Sequence, residues 1–492
     1  MVQSLTEQLD SIRMGITMCF SEVVLSTGIL LMLLGGLLFR KKPSTFPLLA
    51  FLIILSSLLF FIVQAQQFDV PVKLFNGMLR SDDFSTYLKI LFDIAGVLTL
   101  AMSWRNQKNH PSEFYALVLA VLLGAHLLVM SMNMLMVFIS LELISISSYV
   151  LAGFAFTRKG AEGSLKYFLF GSVASAVMVY GFSILYGMTG TLDFSSSVFV
   201  EQLLARNSPL VLMAGLLATV GFLFKISAVP MHPWAPDVYE AAPMPVIAFF
   251  SVVPKLAGIG VLTKFLLALS LFGQSVYDWQ MIIGVVAILT LTVGNFSALL
   301  QKNPKRLMAY SSIAQSGFLL VGVVAFMPQG VQFMLFYATV YLIMNFLVFI
   351  SLQYFESKGI KSIEEFSGTG VQFIWSSVFL LIGMVALTGL PPTGGFTGKL
   401  FVFSSLWEAY QLSEKPVLLW LLVFGLLNTV VSLFYYLRIP YYAFIKSGDS
   451  QERQNFLTPE NLLSLVLVIL ILALFFLPGM LMGWINKITF VL

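Results

Sequence analysis

The sequence predicts an all-α, polytopic membrane protein of about fourteen transmembrane helices, and three observations predict it. Of the 492 residues, 59% are hydrophobic and only 10% are charged, so water cannot be the main solvent of the fold. Apolar runs of roughly 20 residues recur along the whole length, separated by polar stretches too short to make a soluble domain. Two of the runs are interrupted by proline and glycine, at SAVPMHPWAP and at LTGLPPTGGFTGKL.

The spans run approximately over 16–39, 46–64, 86–104, 113–131, 134–156, 164–189, 208–240, 243–270, 281–300, 306–327, 331–354, 372–408, 416–437 and 459–480, each boundary good to a few residues. The stretch MVQSLTEQLDSIR ahead of the first span carries acids, and the run behind it is long enough to stay in the membrane, so no cleaved secretory signal is expected. With the N-terminus outside, the inner loops hold Arg40, Lys41 and Lys42, Arg105 and Lys108, Arg158 and Lys159, Lys302, Lys305 and Arg306, Lys358 and Lys361, and Lys446 with Arg453. The outer loops keep only Lys73, Arg80, Arg206 and Lys415. The excess of inner positive charge predicts that both termini face away from the cytoplasm.

The interruptions fall in the seventh and twelfth spans. Proline removes a backbone donor and glycine loosens the helix, and freed carbonyls at membrane depth are tolerated only inside protein or beside a water-filled cavity. Counting from the fourth span to the eighth, and from the ninth to the thirteenth, the broken helix is the fourth of five in both sets. A unit with an odd number of spans is followed by one of inverted topology, so the chain reads as a single transmembrane domain with two inverted five-helix repeats, about 113–270 and 281–437. Residues 1–104 supply N-terminal helices and 459–492 a C-terminal helix.

A lysine ammonium at a helix centre costs about 2.5–3.5 kcal/mol on insertion scales, so charges inside spans are functional candidates. Glu142 lies in the middle of the fifth span, Lys166 opens the sixth, Lys225 precedes the break in the seventh, Lys255 sits in the eighth and Lys399 follows the glycines of the twelfth. Near its helix start, Lys166 also reads as a side chain snorkelling to the interface. Glu142 also reads as a packing counter-ion, and His232, in the seventh-span break, as a cap for the broken end. Glu22, Asp93 and Lys264 read as interfacial or structural. Lysine and carboxylate suit a proton path because environment shifts the protonation of both, and histidine can relay. The second repeat has Lys399 with polar neighbours Ser311, Ser312, Asn345 and Asn428 but no evident buried acid.

Other chemistries are disfavoured. The single cysteine, Cys19, cannot supply a disulfide, an iron–sulfur cluster or a thiolate zinc site, and His110, His126 and His232 are too scattered for a haem or zinc cluster. No Gly-rich nucleotide loop follows a strand, and the basic residues form no patch for nucleic acid. No cofactor or metal is expected on this chain.

FKISAVPMHPWAPDVYEAAPMPV resembles the signature of the antiporter-like membrane subunits of respiratory complex I and the related cation/proton antiporters. SLKYFLFGSVASAVMVYGFSILYGMTGT, NPKRLMAYSSIAQSGF and LTGLPPTGGFTGKLFVF are similar to the same family, and the DVYE form looks like its NADH-quinone oxidoreductase subunit N branch. The likeness runs from about Glu142 to Arg438. It implies fourteen helices with two inverted units, and a central hydrophilic axis whose residues match Glu142, Lys166, Lys225, His232, Lys255 and Lys399. It also implies a proton-translocating part of an NADH:quinone oxidoreductase in a bacterial inner membrane, flanked by other membrane-arm subunits. NADH, FMN, iron–sulfur clusters and quinone would then be bound elsewhere in the complex. A subunit of a free-standing cation/proton antiporter is the alternative, and a scaffold that only closes the membrane arm is a third reading. Two local departures from the family pattern are Ala242, where glycine is more frequent, and Pro254 directly before Lys255, which is expected to bend the eighth helix and displace the lysine.

Overall fold

Twenty α-helices, one short 3-10 turn and one two-stranded hairpin make up the secondary structure among the described residues. The computed structural model describes residues 5–38, 45–64, 71–104, 111–206, 208–270, 277–447 and 458–488. His110 and the loop charges Arg40, Lys41, Lys42, Arg105, Lys108 and Arg453 lie outside them. Eleven helices are long and apolar enough to cross a membrane, and three shorter apolar ones begin at Thr45, Pro209 and Ile374. Each of the predicted spans contains one of these helices.

Local chemistry sets many of the helix starts. Ser208, Asn303 and Thr458 each cap a helix whose next residue is proline, and proline is tolerated there because its missing N–H has no partner in the first turn. Asn303 Oδ1 accepts from the backbone of Lys305 at 2.8 Å and Arg306 at 3.4 Å. Both interrupted spans are split in two. The seventh is Pro209–Lys225 followed by Trp234–Ala241, and the twelfth is Ile374–Thr388 followed by Gly394–Ser413. The eighth span, Met244–Leu269, is one helix with Pro254 inside it. Proline removes one hydrogen bond, and a fully enclosed helix has packing on every side to hold its axis. Its apolar window is wholly buried, and those of the tenth and eleventh spans nearly so.

The chain falls into two compact units. One holds residues up to Ile226 together with Val252–Trp279, and the other holds Ser227–Ser251 with the chain from Gln280 onward. In the first unit the helix Arg158–Thr189 packs on Pro209–Lys225, and Phe20–Leu38 packs on Thr45–Gln64 and Ser112–Met130. Glycines permit that closeness: a methyl group at Gly181 would meet the Ala214 carbonyl oxygen at 2.7 Å. In the second unit, Pro328–Ser357 is the hub against which both halves of the twelfth span and Pro459–Phe476 pack.

Between the second and third spans, Val72–Leu74 pairs antiparallel with Leu79–Ser81. Asn76 and Gly77 turn the chain with φ of 56° and 82°, a conformation these two residue types accept most readily. Leu74 and Leu79 bury themselves against Met18, Cys19 and Met130, which seats the hairpin on the first and fourth spans.

Candidate functional site

Lys225 closes the first half of the seventh span and is 2% exposed. Its Nζ donates to no protein acceptor. It faces the rings of Tyr149, Tyr167 and Phe224, with centroids 5.9, 5.7 and 5.9 Å away. Such contacts contribute up to about 2 kcal/mol when desolvated, less than the several kcal/mol of burying an ammonium. The remaining support is electrostatic, from the Glu142 carboxylate. Glu142 and Tyr149 stand two turns apart on one face of Met134–Ala152, so acid and ring are presented to the lysine together. Glu142 is half-buried, and its Oε1 accepts from Ser175 Oγ at 2.5 Å.

Lys255 is buried at 1% exposure despite Pro254. One turn further along its helix, Gly258 leaves room for Lys225, whose Cβ would lie 3.3 Å from a methyl group placed there. The two lysines thus belong to one neighbourhood. Lys166 has a different setting. Its helix begins at Arg158, earlier than predicted, and the Lys166 side chain is 41% exposed and paired with Glu162 at 2.9 Å, the i,i+4 partner.

In the second unit, Lys399 is 3% exposed and donates to the carbonyl oxygens of Thr388 at 2.8 Å and Leu387 at 3.2 Å. Its Nζ lies 4.0 Å from the centre of the Phe318 ring. The carbonyls are available because the twelfth span breaks at Gly389, ending the first half-helix with unpaired acceptors. Gly389 has φ of 84°, and a methyl group there would sit 2.8 Å from Lys399 Cδ. Gly389→Ala is therefore expected to destabilise the break by about 1–2 kcal/mol and to push the lysine stem aside, lowering proton pumping while the chain still inserts. Wild-type pumping by that variant would separate the lysine from the glycine's geometry.

A chain of hydroxyls and amides runs through the same unit. Tyr341 spends its only proton on the Ser251 carbonyl at 2.9 Å, so it accepts from Ser312, and Ser312 in turn accepts from Tyr239. Asn345 donates to Ser251 Oγ. Gln315 donates to the Leu387 carbonyl and to Tyr436 Oη, both at 3.1 Å, and accepts from Tyr337, while Tyr436 also bonds Ser311. Of these, the Gln315 group reaches the Leu387 oxygen that Lys399 uses. His232, half-buried in the first break, lies against the Pro230 backbone, and its Nδ1 has no protein partner. The DVYE and NPKR stretches meet through Arg306, which donates to Asp237 at 2.8 Å and Glu240 at 3.0 Å.

A second group of buried charges lies in the first unit, at residues to which sequence reading gave no functional role. Lys89 Nζ is 3.0 Å from Glu22 Oε1, His126 Nδ1 is 3.3 Å from the same oxygen, and His126 Nε2 is 3.2 Å from Asp93 Oδ1. Ser57 donates to Asp93 Oδ2 at 2.7 Å, and Ser21 donates to Glu22 Oε2 at 3.0 Å. Lys264 donates to Asp82 Oδ2 and to the Val129 carbonyl, both at 2.8 Å. Glu22, Asp93 and Lys264, expected to be interfacial or structural, are therefore fully enclosed. The spacing of Lys89 and Asp93, one turn apart, was the available signal; only the fold places Glu22 and His126 beside them.

An all-helical membrane domain with two broken spans and a buried lysine at each has the architecture of an antiporter-type ion-translocating subunit. The family model described as NADH:quinone oxidoreductase/Mrp antiporter, transmembrane, matches residues 131–432. NADH-quinone oxidoreductase subunit N 2 of Chloroherpeton thalassium is 35% identical over 494 residues, covering 96% of this chain and 94% of that one. Subunit N of Anaeromyxobacter sp. is 37% identical over 452 residues, covering 85% of each. Among solved structures, a chain of respiratory complex I from Thermus thermophilus superposes with a TM-score of 0.77 at 27% identity, covering 94% of this chain and 98% of its own. The chain belongs to the NADH:quinone oxidoreductase/Mrp antiporter family and, within it, to the NADH-quinone oxidoreductase subunit N group.

Proposed function

We propose that this multi-pass membrane protein is a proton-translocating membrane-arm subunit of a bacterial NADH:quinone oxidoreductase, seated in the inner membrane with both termini on the non-cytoplasmic side. Other membrane-arm subunits flank it within the lipid bilayer. NADH, FMN, iron–sulfur clusters and quinone are handled by other chains of the complex, and redox chemistry there drives proton movement here. The observation that carries this reading is Lys225, buried with no protein acceptor, in the field of one carboxylate, Glu142.

A lysine in that position holds its proton while the carboxylate is near and yields it when the carboxylate moves off or is neutralised. Lys255, beside it, is the next carrier within the first repeat, about 113–270, and His232 is the relay in the break. Lys399 does the same in the second repeat, about 281–437, with backbone carbonyls in place of an acid. Lys166, at the exposed start of its helix, serves the mouth of the path.

A free-standing cation/proton antiporter is the second reading, favoured by the inclusion of Mrp antiporters in the matching family. Purification of the tagged chain in mild detergent separates the two. The proposal expects it to co-purify with an assembly that oxidises NADH and reduces quinone, and to take up protons in liposomes only when both substrates are supplied. Recovery without redox activity, together with cation-driven proton exchange, would establish the antiporter instead.

A further inference from the structure

The buried group on the N-terminal spans touches the first repeat only through His126 and uses none of the lysines assigned to the path above. It joins four spans: Glu22 from the first, Ser57 from the second, Lys89 and Asp93 from the third, and His126 from the fourth. The side chains of Lys89, His126 and Asp93 have no exposure, and that of Glu22 has 5%. Two carboxylates, one ammonium and one imidazolium sum to zero, so a proton can move among them without changing the buried charge.

We propose that Glu22, Lys89, His126 and Asp93 form a second proton-transfer site, connected to the hairpin end of the third span through Asp82 and Lys264. Three observations support it. Both imidazole nitrogens face carboxylate oxygens at 3.2–3.3 Å, whereas neutral imidazole has one N–H; if His126 loses its proton, one nitrogen lone pair faces a carboxylate oxygen unless Glu22 or Asp93 carries the proton. A proton thus has three alternative seats in one arrangement of heavy atoms. Next, neither ring nitrogen is aligned for a hydrogen bond despite the short separations, and Asp93 Oδ1 is also unbonded. A group kept only to lock helices together gains most when its bonds are aligned, and a partly satisfied buried network is costly. The third observation is spatial. Asp82 caps the third span, and Lys89 and Asp93 follow seven and eleven residues later on the same face, about 10 and 16 Å along the axis. The row therefore reaches from one end of the span to about half the thickness of a bilayer core of roughly 30 Å. Such a row has the dimensions of a half-channel.

The ionisable groups around it are few. Cys19, on the first span, lies in the field of Glu22 and Lys89. Arg80 is 3.9 Å from Asp82, and Lys264, from the eighth span, acts on Asp82. Lys264 shares its helix with Lys255, which gives the row a covalent connection to the first repeat.

This inference rests on the proton-translocation reading and adds a route to it. The test uses the assembled complex in liposomes, with proton uptake measured per NADH oxidised, for wild type, His126→Gln, and the double variant His126→Gln with Asp93→Asn. The double variant removes one positive and one negative charge, so the core remains neutral and the Ser57 bond is retained. Both variants are expected to assemble, judged by native-gel migration, and to move fewer protons per NADH than wild type, with the deficit depending on pH. If the variants assemble and match the wild-type ratio across pH, the group is structural and the inference fails, while pumping by wild type leaves the broader reading intact. If wild type itself moves no protons, the broader reading fails first. Failure of the charge-neutral double variant to assemble would assign the group to folding and equally overturn the relay.

Discussion

Lys399→Met is expected to abolish or sharply reduce proton translocation, and Lys399→Arg is expected to do so as well although it keeps the charge. The ammonium donates to two carbonyls and lies on one aromatic face, and among the described residues no carboxylate pairs with it. Two charge-assisted hydrogen bonds and a desolvated cation–π contact contribute on the order of 5–8 kcal/mol. Burying the ion costs several kcal/mol. A carrier must be able to lose its proton as well as hold it. A guanidinium is effectively always protonated, and its planar fork replaces the compact ammonium that the two carbonyls hold. The measurement is proton uptake against quinone reduction in liposomes containing each variant complex. Pumping at the wild-type ratio by the arginine variant would make Lys399 a structural residue.

Glu142→Gln is expected to leave the complex assembled and to depress redox-linked proton uptake strongly. The amide oxygen can still accept from Ser175, so packing is conserved and only the ability to change charge is lost. Lys225→Ala has a larger structural cost, because it empties the space beside the Tyr149, Tyr167 and Phe224 rings; large-to-small changes in a core cost about 2–5 kcal/mol. Some loss of assembly should therefore accompany the loss of pumping in that variant. If the glutamine variant pumped normally, or Lys225→Ala retained full activity, the exchange between Glu142 and Lys225 would not be the working step.

The spans and their breaks were legible because lipid imposes a one-dimensional rule on sequence: apolar length gives the helix, and proline with glycine gives the break. The Ser208-Pro209, Asn303-Pro304 and Thr458-Pro459 starts were also plain, since capping chemistry is local. What single residues in apolar runs do depends on which spans are neighbours. Glu22 and His126 sit 104 positions apart and share one oxygen's surroundings. Lys89, only seven residues into its helix, drew no reading from the sequence. The Asn76-Gly77 turn carried a hairpin signal hidden by the all-helical context. For Lys255, sequence placed the lysine beside a proline but could not tell which helices would enclose both.

The Leu387 carbonyl has two donors, the Lys399 ammonium and the Gln315 amide, the latter being also tied to Tyr436 and Tyr337. An oxygen shared in this way makes the two donors rivals. When the lysine surrenders its proton, its claim on the carbonyl weakens, the amide's claim strengthens, and the tyrosine hydroxyls that lean on the amide feel the change. Thermodynamic reciprocity then requires the converse. Anything that tilts Gln315 or reorients the Tyr436 hydroxyl alters how firmly Lys399 keeps its proton. If Lys399 carries the proton as proposed, the broken helix would act as a transducer as well as a passage, converting the occupancy of one nitrogen into the orientation of a side-chain chain, and the orientation of that chain back into occupancy.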